Sequence, residues 1–382
     1  MGKLKVAGVS TFRVPCGVAK EWERLAYELS SLVELKTYAE IIHSGSHEEE
    51  PINPNIALNY IRDWKRGKSF DKLYEDIIQG IPDLVHISYE SAMYNEGMFS
   101  ESLLLQLIRR LHEANIKTVI TLHNVPEFQP TVYYAGWYNK LDSQIIVTNR
   151  LMERELLKWE PEARVTTIPP GSTIFTCIDK TEARTILNLP QDKYIITQVG
   201  FYGYDKGMLP LIEAMPKILS DIPNAYLVFA GSIHPLAPPI HRDYVKQCIK
   251  KAVELNLQNY VKFVGRFLTE EEITQYISVS DMLAINHQYV FGLYSSSASA
   301  HRVLASGKPT IMNSADVRLS EFRDGEHCVK VTNENLAEKI VSLSKDVGLQ
   351  QRLYKGALEY ANKTSFSEIT KNHLSVYKSC VK

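Results

Sequence analysis

The sequence lacks the long apolar run that a membrane-spanning helix needs. No stretch approaches 18 consecutive apolar residues, so a transmembrane segment is not expected. An excess of charge of either sign is also missing, because 43 basic residues face 44 acidic ones and the formal net charge is -1. Proteins that bind nucleic acid broadly carry a strong basic footprint. The charge balance therefore argues against a nucleic-acid partner.

Cysteine is scarce and scattered. The chain has five cysteines and none of them forms a CxxC pair. An odd number of isolated cysteines does not suit a disulfide framework or a structural zinc site. We therefore expect a cytoplasmic protein without a metal centre.

The GxGxxG fingerprint of dinucleotide-binding domains is absent as well, which disfavours a nicotinamide-dependent dehydrogenase. The first predicted strand, 4–9, is followed instead by a loop with a single glycine, Gly17, and by a helix predicted over 21–32 with Leu25, Leu29 and Leu32 on its apolar face. One glycine at a strand-to-helix junction indicates a turn. It is only a weak indication of a phosphate loop.

The stretch QVGFYGYDKG, residues 198–207, carries a stronger pattern. A β-branched and aromatic run precedes it and an amphipathic run from 208 follows it, so it is predicted to connect a strand to a helix. Gly200, Gly203 and Lys206 then lie where backbone amides, the helix N-terminus and a lysine ammonium all favour an anionic ligand. A tight turn that serves only the fold is the alternative interpretation.

Strands and helices alternate through both halves of the chain, which predicts an α/β fold with two doubly wound parallel sheets. We expect a first domain at 1–172, a second at 173–360 and a last helix at 361–382 that packs back on the first domain. A ligand is expected in a cleft between the carboxyl edges of the two sheets. Two of these strand ends carry polar pairs, His123 with Asn124 and Asn286 with His287. His86 lies inside a strand and is predicted to be a packing residue.

Helices are predicted at 56–64 and 70–79, with a basic and aromatic patch that includes Trp64, Lys65 and Arg66. Such a patch suits an anionic membrane surface, so peripheral membrane contact is one expectation. A solvated helix end is the other.

Several short motifs, in their order along the chain, resemble those of glycosyltransferase family 4. The matching segments are Cys16-Gly17-Val18-Ala19, Asp83-Leu-Val-His-Ile, Thr121-Leu-His123, Gly200 to Gly207, Val228-Phe-Ala-Gly231, Val264-Gly-Arg266, Ala305-Ser-Gly-Lys-Pro309 and Leu319 to Gly325. The resemblance covers nearly the whole chain. It implies a GT-B fold, in which two Rossmann-like domains face each other across a cleft, with the acceptor in the first domain and a nucleotide-sugar donor in the second.

The sequence departs from this family at two points. The family has two glutamates with seven residues between them before the Gly-Lys-Pro element, and here that alignment places Tyr294 and Arg302. Alignment on 291–293 instead gives Tyr289 and Ser297, which are not glutamates either. The phosphate-contacting arginine near the lysine is also missing from 201–204. These departures keep open a degenerate protein that acts as a binding or partner subunit.

The resemblance also implies roles for individual residues. Lys206 would be the main contact to the donor diphosphate, and the serine-rich turn Ser295, Ser296 and Ser297 would complete its cradle with the amides around Gly17. His123 would contact the sugar or the acceptor as the second catalytic residue. The weaker candidates are Arg266, Tyr294 and Arg302 for the base or ribose, and Cys16, Asn124, Asn286 and His287 for the acceptor or sugar.

The reaction that the resemblance implies is hexosyl transfer with retention of anomeric configuration, in which the leaving phosphate helps to deprotonate the acceptor. The nucleotide sugar is a substrate, so no cofactor and no metal are expected. The acceptor is a glycan, a lipid-linked or a small molecule. A nucleotide-sugar epimerase is the remaining alternative, although the paired acids that it needs are not found.

Overall fold

Two separate parallel sheets organise the chain. The computed structural model describes residues 2–14, 16–41, 53–62, 70–90, 103–126, 140–235, 237–288 and 293–381. The chain divides into two compact units by its contacts. The first comprises 1–171, 291–296 and 366–382, and the second comprises 172–290 and 297–365.

The strands of the first unit are β1 (Lys5–Val9), β2 (Glu34–Ile41), β3 (Ile56–Arg62), β4 (Leu84–Tyr89), β5 (Lys117–Leu122), β6 (Asn124–Pro126), β7 (Gln144–Val147), β8 (Val165–Thr167) and β13 (Leu293–Ser295). Its helices are α1 (Gly17–Leu29), α2 (Asp71–Gln79), α3 (Leu103–Glu113), α4 (Arg150–Trp159) and α12 (Phe366–Cys380).

Seven of these strands form one sheet in the order β3-β2-β1-β4-β5-β7-β8, and each described pair is parallel. Successive residues of the central strands face opposite sides: Val85 packs with α2 and α3, and Leu84 packs with α1 and α12. Helices therefore cover both faces, which is why all six residues of β4 are buried. The short strands β6 and β13 pair antiparallel beside this sheet.

The second unit contains β9 (Tyr194–Val199), β10 (Ala225–Ala230), β11 (Val261–Phe263), β12 (Met282–Ile285), β14 (Thr310–Asn313) and β15 (Val329–Val331). Its helices are α5 (Lys180–Ile186), α6 (Met208–Asp221), α7 (Pro239–Glu254), α8 (Glu270–Val279), α9 (Ala298–Leu304), α10 (Leu336–Lys345) and α11 (Val347–Lys363).

The second sheet has the order β11-β10-β9-β12-β14-β15, again with parallel pairs. The chain winds outward from β9 in one direction through β10 and in the other through β12. The order therefore reverses between β9 and β12, and open α/β sheets bind ligands at the carboxyl ends of the strands on either side of such a reversal.

The doubly wound parallel architecture predicted from the sequence is confirmed, but two local predictions are wrong. Residues 56–62 form β3 rather than a helix, because they pair in parallel with β2 and their apolar residues, Ile56 and Leu58, recur at every second position. The first helix is α1, which begins at Gly17 and ends at Leu29, so Leu32 lies beyond it and is 42% exposed.

The domain bounds also differ in detail from those proposed from the sequence. Residues 172 and 361–365 group with the second unit, and 291–296 group with the first. The last helix, α12, packs within the first unit against α1 and the sheet. The assignment of acceptor and donor roles to the two units stays a prediction.

A buried hydrogen bond fixes α12 to the sheet. The Tyr377 hydroxyl lies 2.6 Å from Nδ1 of His86, whose Nε2 lies 2.7 Å from the Thr121 hydroxyl. His86 is 1% exposed in the middle of β4, which confirms its prediction as a packing histidine. Both of its ring nitrogens are thus partnered away from water.

Among the described residues, no helix is long and apolar enough to cross a membrane. The basic and aromatic patch at Trp64, Lys65 and Arg66 lies outside those residues. Membrane contact through it stays a prediction.

Replacement of Tyr377 by Phe removes one partner of the buried His86 ring. The free energy of unfolding of the first unit is expected to fall by about 1–3 kcal/mol, the cost of a buried polar group without a partner. Urea unfolding followed by tryptophan fluorescence measures this, since all four tryptophans of the chain lie within residues 1–171. Tyr27→Phe is the control, because Tyr27 lies in α1 of the same unit and is 61% exposed; equal losses in both variants would contradict the prediction.

Candidate functional site

The loop that follows β9 brings the predicted phosphate-binding residues to the carboxyl edge of the second sheet. β9 ends at Val199, a 3-10 turn spans Tyr204–Lys206, and α6 begins at Met208. Gly200 lies close to the start of α9, because a Cβ added to it would come within 3.2 Å of the Ser299 hydroxyl. The loop, the lysine and the helix N-terminus therefore lie in one place, as the sequence pattern predicts.

Gly207 is required by this geometry. Its φ is +65°, in the left-handed region, and a Cβ there would lie 1.8 Å from the backbone oxygen of Asn286. The Asn286 side chain in turn donates to the Gly207 carbonyl at 3.1 Å. The loop after β9 and the residue after β12 are therefore in direct backbone contact at the reversal of the strand order.

Four charged side chains form a connected cluster at this edge. Lys206 Nζ lies 2.8 Å from Asp205 Oδ2, and the same oxygen accepts from Arg318 Nη1 at 2.7 Å. Arg318 also donates from Nε to both carboxylate oxygens of Asp316, at 3.0 and 2.9 Å. Two carboxylates and two cations thus balance each other, and Asp205 is shared.

Burial controls the ionisation of this cluster. Desolvation lowers the pKa of Lys206, although the Asp205 carboxylate acts in the opposite direction. The pKa of Asp205 is well below its ordinary value because Lys206 and Arg318 outweigh the effect of burial. Next to the cluster, desolvation lowers the pKa of His287, so its imidazole is neutral near pH 7. Its Nδ1 lies 3.8 Å from Asp316 Oδ2.

Sequence reasoning did not find Asp205, Asp316 or Arg318. It found no arginine in 201–204, and the arginine beside Lys206 comes instead from the loop after β14. The signal that was present is positional: Asp316 and Arg318 closely follow the buried strand β14, so they fall on the same sheet edge as the ends of β9 and β12.

Two predicted contacts to the base or ribose are engaged in ion pairs in the described structure. Arg266 pairs with Glu272, which raises the pKa of the guanidinium and lowers that of the carboxyl to about 2. Arg302 lies 2.7 Å from the Glu270 carboxylate. Both carboxylates belong to the first turn of α8. The ligand roles of the two arginines stay predictions.

The serine-rich turn does not act as one group. Ser295 lies in β13 and pairs with Asn124, and Ser296 accepts from the Asn149 side chain at 2.9 Å, both within the first unit. Ser297 belongs to the second unit, where its hydroxyl caps α9 by accepting from Ala300 N at 3.3 Å. Tyr294 pairs with Val125 and packs on the core of the first unit.

The glycine loop of the first unit lies at the carboxyl edge of its own sheet. Cys16 is the residue before α1 and Gly17 is its first residue, and among the described residues no side chain caps the helix. A Cβ added to Gly17 would meet none of the described atoms within 4 Å. Gly17 thus differs from Gly207, whose Cβ would meet Asn286.

His123 lines a small cavity at the same edge. The cavity measures about 20 Å³, which is room for one water. Its lining includes His86, His123 and His373, and Nε2 of His123 is buried without a hydrogen-bond partner among the described residues. Burial, and then the nearby His373, lower the pKa of His123 to about 4. The neutral ring therefore has one nitrogen available to a hydroxyl group.

The neighbouring Asn124 is engaged, since its side chain donates to the Glu90 carboxylate at 2.7 Å.

Known proteins share both the sequence pattern and the fold. Residues 179–360 match the family described as glycosyl transferases group 1. The chain is 22% identical over 344 residues to lipopolysaccharide 1,2-N-acetylglucosaminetransferase of Salmonella typhimurium. The aligned region covers 87% of this chain and 84% of that relative. The family match lies almost entirely within the second unit, and the likeness to the Salmonella enzyme extends over most of the chain.

Solved structures extend the likeness to the whole chain. HepE of Anabaena, solved with UDP and glucose, superposes with a TM-score of 0.77 at 17% identity over 98% of this chain and 100% of its own. A glycosyltransferase from Rickettsia africae superposes with a TM-score of 0.79 at 16% identity over the full length of both chains. At this identity the likeness shows the fold, which is GT-B with two Rossmann-like domains.

Replacement of Gly207 by Ala is expected to destabilise the second unit by more than the cost of placing an alanine in a left-handed backbone conformation. Gly325→Ala is the matched control, because Gly325 has φ +70° and open space around it. The control should lose about 1–2 kcal/mol from the backbone conformation. Gly207→Ala must also displace Asn286. Amide hydrogen exchange in β9 and α6 measures the difference, and equal protection in the two variants would argue against the contact.

The stability of the first unit should fall between pH 7 and pH 5. Burial lowers the pKa of both His123 and His373 to about 4, so between about pH 6.5 and pH 4 the unfolded chain binds more protons. Each histidine then lowers the free energy of unfolding by about 2 kcal/mol between pH 7 and pH 5. His373→Gln should reduce this loss by about 1–2 kcal/mol in urea unfolding followed by tryptophan fluorescence. The exposed His112→Gln should leave it unchanged; an unchanged loss in His373→Gln would refute this account.

Proposed function

We propose that the protein is a retaining hexosyltransferase that moves a sugar from a nucleotide-sugar donor to a glycan, lipid-linked or small-molecule acceptor. The observation that carries the proposal is the position of Lys206, at the start of α6 and at the reversal of the strand order in the second sheet. The group 1 match covers the same unit. The UDP bound in the Anabaena structure supports a nucleotide donor.

The chemistry explains why a lysine is placed there. Transfer breaks the bond from the anomeric carbon to phosphate, and negative charge develops on the leaving diphosphate. Preorganised donors that face this charge lower the barrier. In this proposal Lys206 and the first amides of α6 receive the diphosphate, and the desolvated surroundings of Lys206 strengthen the interaction.

The proposed mechanism needs no carboxylate base. The acceptor hydroxyl attacks from the face that the diphosphate leaves, and a phosphate oxygen takes its proton as the new bond forms. Neither the glutamates missing near α9 nor a metal ion has a required role in this sequence of events. The expected product keeps the anomeric configuration of the donor.

The first unit would bind the acceptor. Nε2 of His123 is the polar group that supports this assignment, because it is buried at the carboxyl edge of the first sheet and has no hydrogen-bond partner in the part of the chain that the structure describes. A neutral imidazole suits a hydrogen bond to a sugar or acceptor hydroxyl. A cytoplasmic location, with Trp64, Lys65 and Arg66 against a membrane surface, stays a prediction.

The donor site is tested by the thermal stability of the protein with UDP, GDP and ADP and their sugars. A ligand at about 100 times its dissociation constant stabilises the folded chain by about 2.7 kcal/mol. Lys206→Met should weaken the best diphosphate about ten- to a hundredfold, since a charge-assisted hydrogen bond contributes about 1.5–3 kcal/mol. Lys262→Met is the matched control, because Lys262 is also partly buried but lies in the edge strand β11.

The products separate the alternatives. Proton NMR of the transferred sugar should show the donor's anomeric configuration, and inversion would contradict the retaining mechanism. Nucleotide binding without transfer or donor hydrolysis would favour a binding or partner subunit, for which the missing glutamates are the supporting observation. A free epimer of the sugar would mark an epimerase.

A further inference from the structure

Arg318 connects three loops at the carboxyl edge of the second sheet. Its Nη1 donates to Asp205 Oδ2 after β9, and its Nη2 donates to the Gln288 carbonyl after β12 at 2.9 Å. Its Nε donates to the carboxylate of Asp316 in the loop after β14. β9, β12 and β14 are neighbours in the sheet, so one side chain spans the region where the strand order reverses.

The same contacts make Arg318 a poor candidate for direct contact with a ligand. A guanidinium has five N–H donors. Nε is used by Asp316, Nη1 reaches Asp205, and Nη2 reaches the carbonyls of Gln288 and Asp205 and lies 2.7 Å from Asp316. The side chain is largely buried, at 14% exposure. The Nε hydrogen, both Nη2 hydrogens and one of the two Nη1 hydrogens are therefore directed to acceptors of the protein itself.

The contacts converge on the lysine loop. Asp205 is the residue directly before Lys206. Its carboxylate and its backbone oxygen both accept hydrogen bonds from Arg318. That backbone oxygen also accepts from Gln288 N at 2.8 Å. On the other side, Gln198 Nε2 donates to the Lys206 carbonyl at 3.0 Å. The backbone is thus held at both Asp205 and Lys206, and Arg318 supplies the side-chain part of the attachment at Asp205.

We propose that Arg318 is a positioning residue for the diphosphate site: it holds the Asp205–Lys206 loop so that the lysine is presented to the donor phosphates. The inference rests on the proposed function. It assigns to the loop after β14 the place of the arginine that is missing near the lysine, although the residue acts through Lys206 rather than on the ligand.

A double-mutant cycle tests whether Arg318 acts through Lys206. Titration calorimetry compares the wild type, Arg318→Met, Lys206→Met and the double variant with whichever of UDP, GDP and ADP the wild type binds best. Arg318→Met should weaken binding about tenfold or more. When Lys206 is already Met, the further change Arg318→Met should weaken binding by less than about twofold, because effects that act through a shared group are not additive. Full additivity would overturn the proposal.

A second readout separates positioning from general loosening of the fold. The corresponding nucleoside has no phosphates, so its affinity should change less than about twofold in Arg318→Met. A parallel loss of nucleoside and diphosphate affinity would overturn the proposal. Arg323→Met is the matched control: Arg323 is 68% exposed and pairs with Glu326, and diphosphate affinity should be unchanged in this variant.

Two further variants cover a failure of Arg318→Met to fold. Arg318→Lys keeps the charge but has no planar fork, so it should not restore diphosphate affinity. Asp316→Asn keeps Arg318 and removes one of its charged attachments, and should weaken diphosphate but not nucleoside binding. Wild-type diphosphate affinity in both variants would overturn this inference but not the proposed function. If the wild type binds no nucleotide, both the proposed function and this inference fail.

Discussion

The shared carboxylate of Asp205 is the interaction on which the candidate site depends. It accepts from Lys206 and from Arg318, and Arg318 is bound in turn by Asp316. Largely buried charges are costly to desolvate unless they are paired and hydrogen-bonded, and removal of one partner of such a pair typically costs about 3–5 kcal/mol. The cluster therefore constrains the three loops after β9, β12 and β14 together, and the position of Lys206 follows from that constraint.

The parallel sheets explain why residues distant in sequence meet here. A doubly wound order places the ends of β9, β12 and β14 side by side, and all three point their carboxyl ends to the same edge. Gly207 allows the first loop to come into backbone contact with Asn286, because a Cβ would not fit. The sheet order thus provides the edge, and the glycine allows the close approach.

Much of this was predictable from local patterns. Apolar runs at the correct spacing predict the strands, and the segment around Gly200 to Gly207 predicts a strand-to-helix turn with a lysine. The place of Arg318 at the sheet edge could be inferred from its position after β14, but its partnership with Asp205 could not, because it depends on which strands are neighbours, and periodicity does not encode that. Residues 56–62 were predicted wrongly as a helix, although Ile56 and Leu58 alternate as in a strand, and it is their pairing with β2 that decides the structure. The split of Ser296 and Ser297 between two units is likewise a tertiary effect.

The central claim is that the carboxyl edge of the second sheet receives the diphosphate of a nucleotide sugar through Lys206. A crystal structure of the protein with the best-binding nucleoside diphosphate tests it most directly. We predict a phosphate oxygen within hydrogen-bond reach, about 2.7–3.2 Å, of Lys206 Nζ, with Arg318 still bound to Asp205 and Asp316. A diphosphate bound elsewhere, with Lys206 paired only to Asp205, would contradict it.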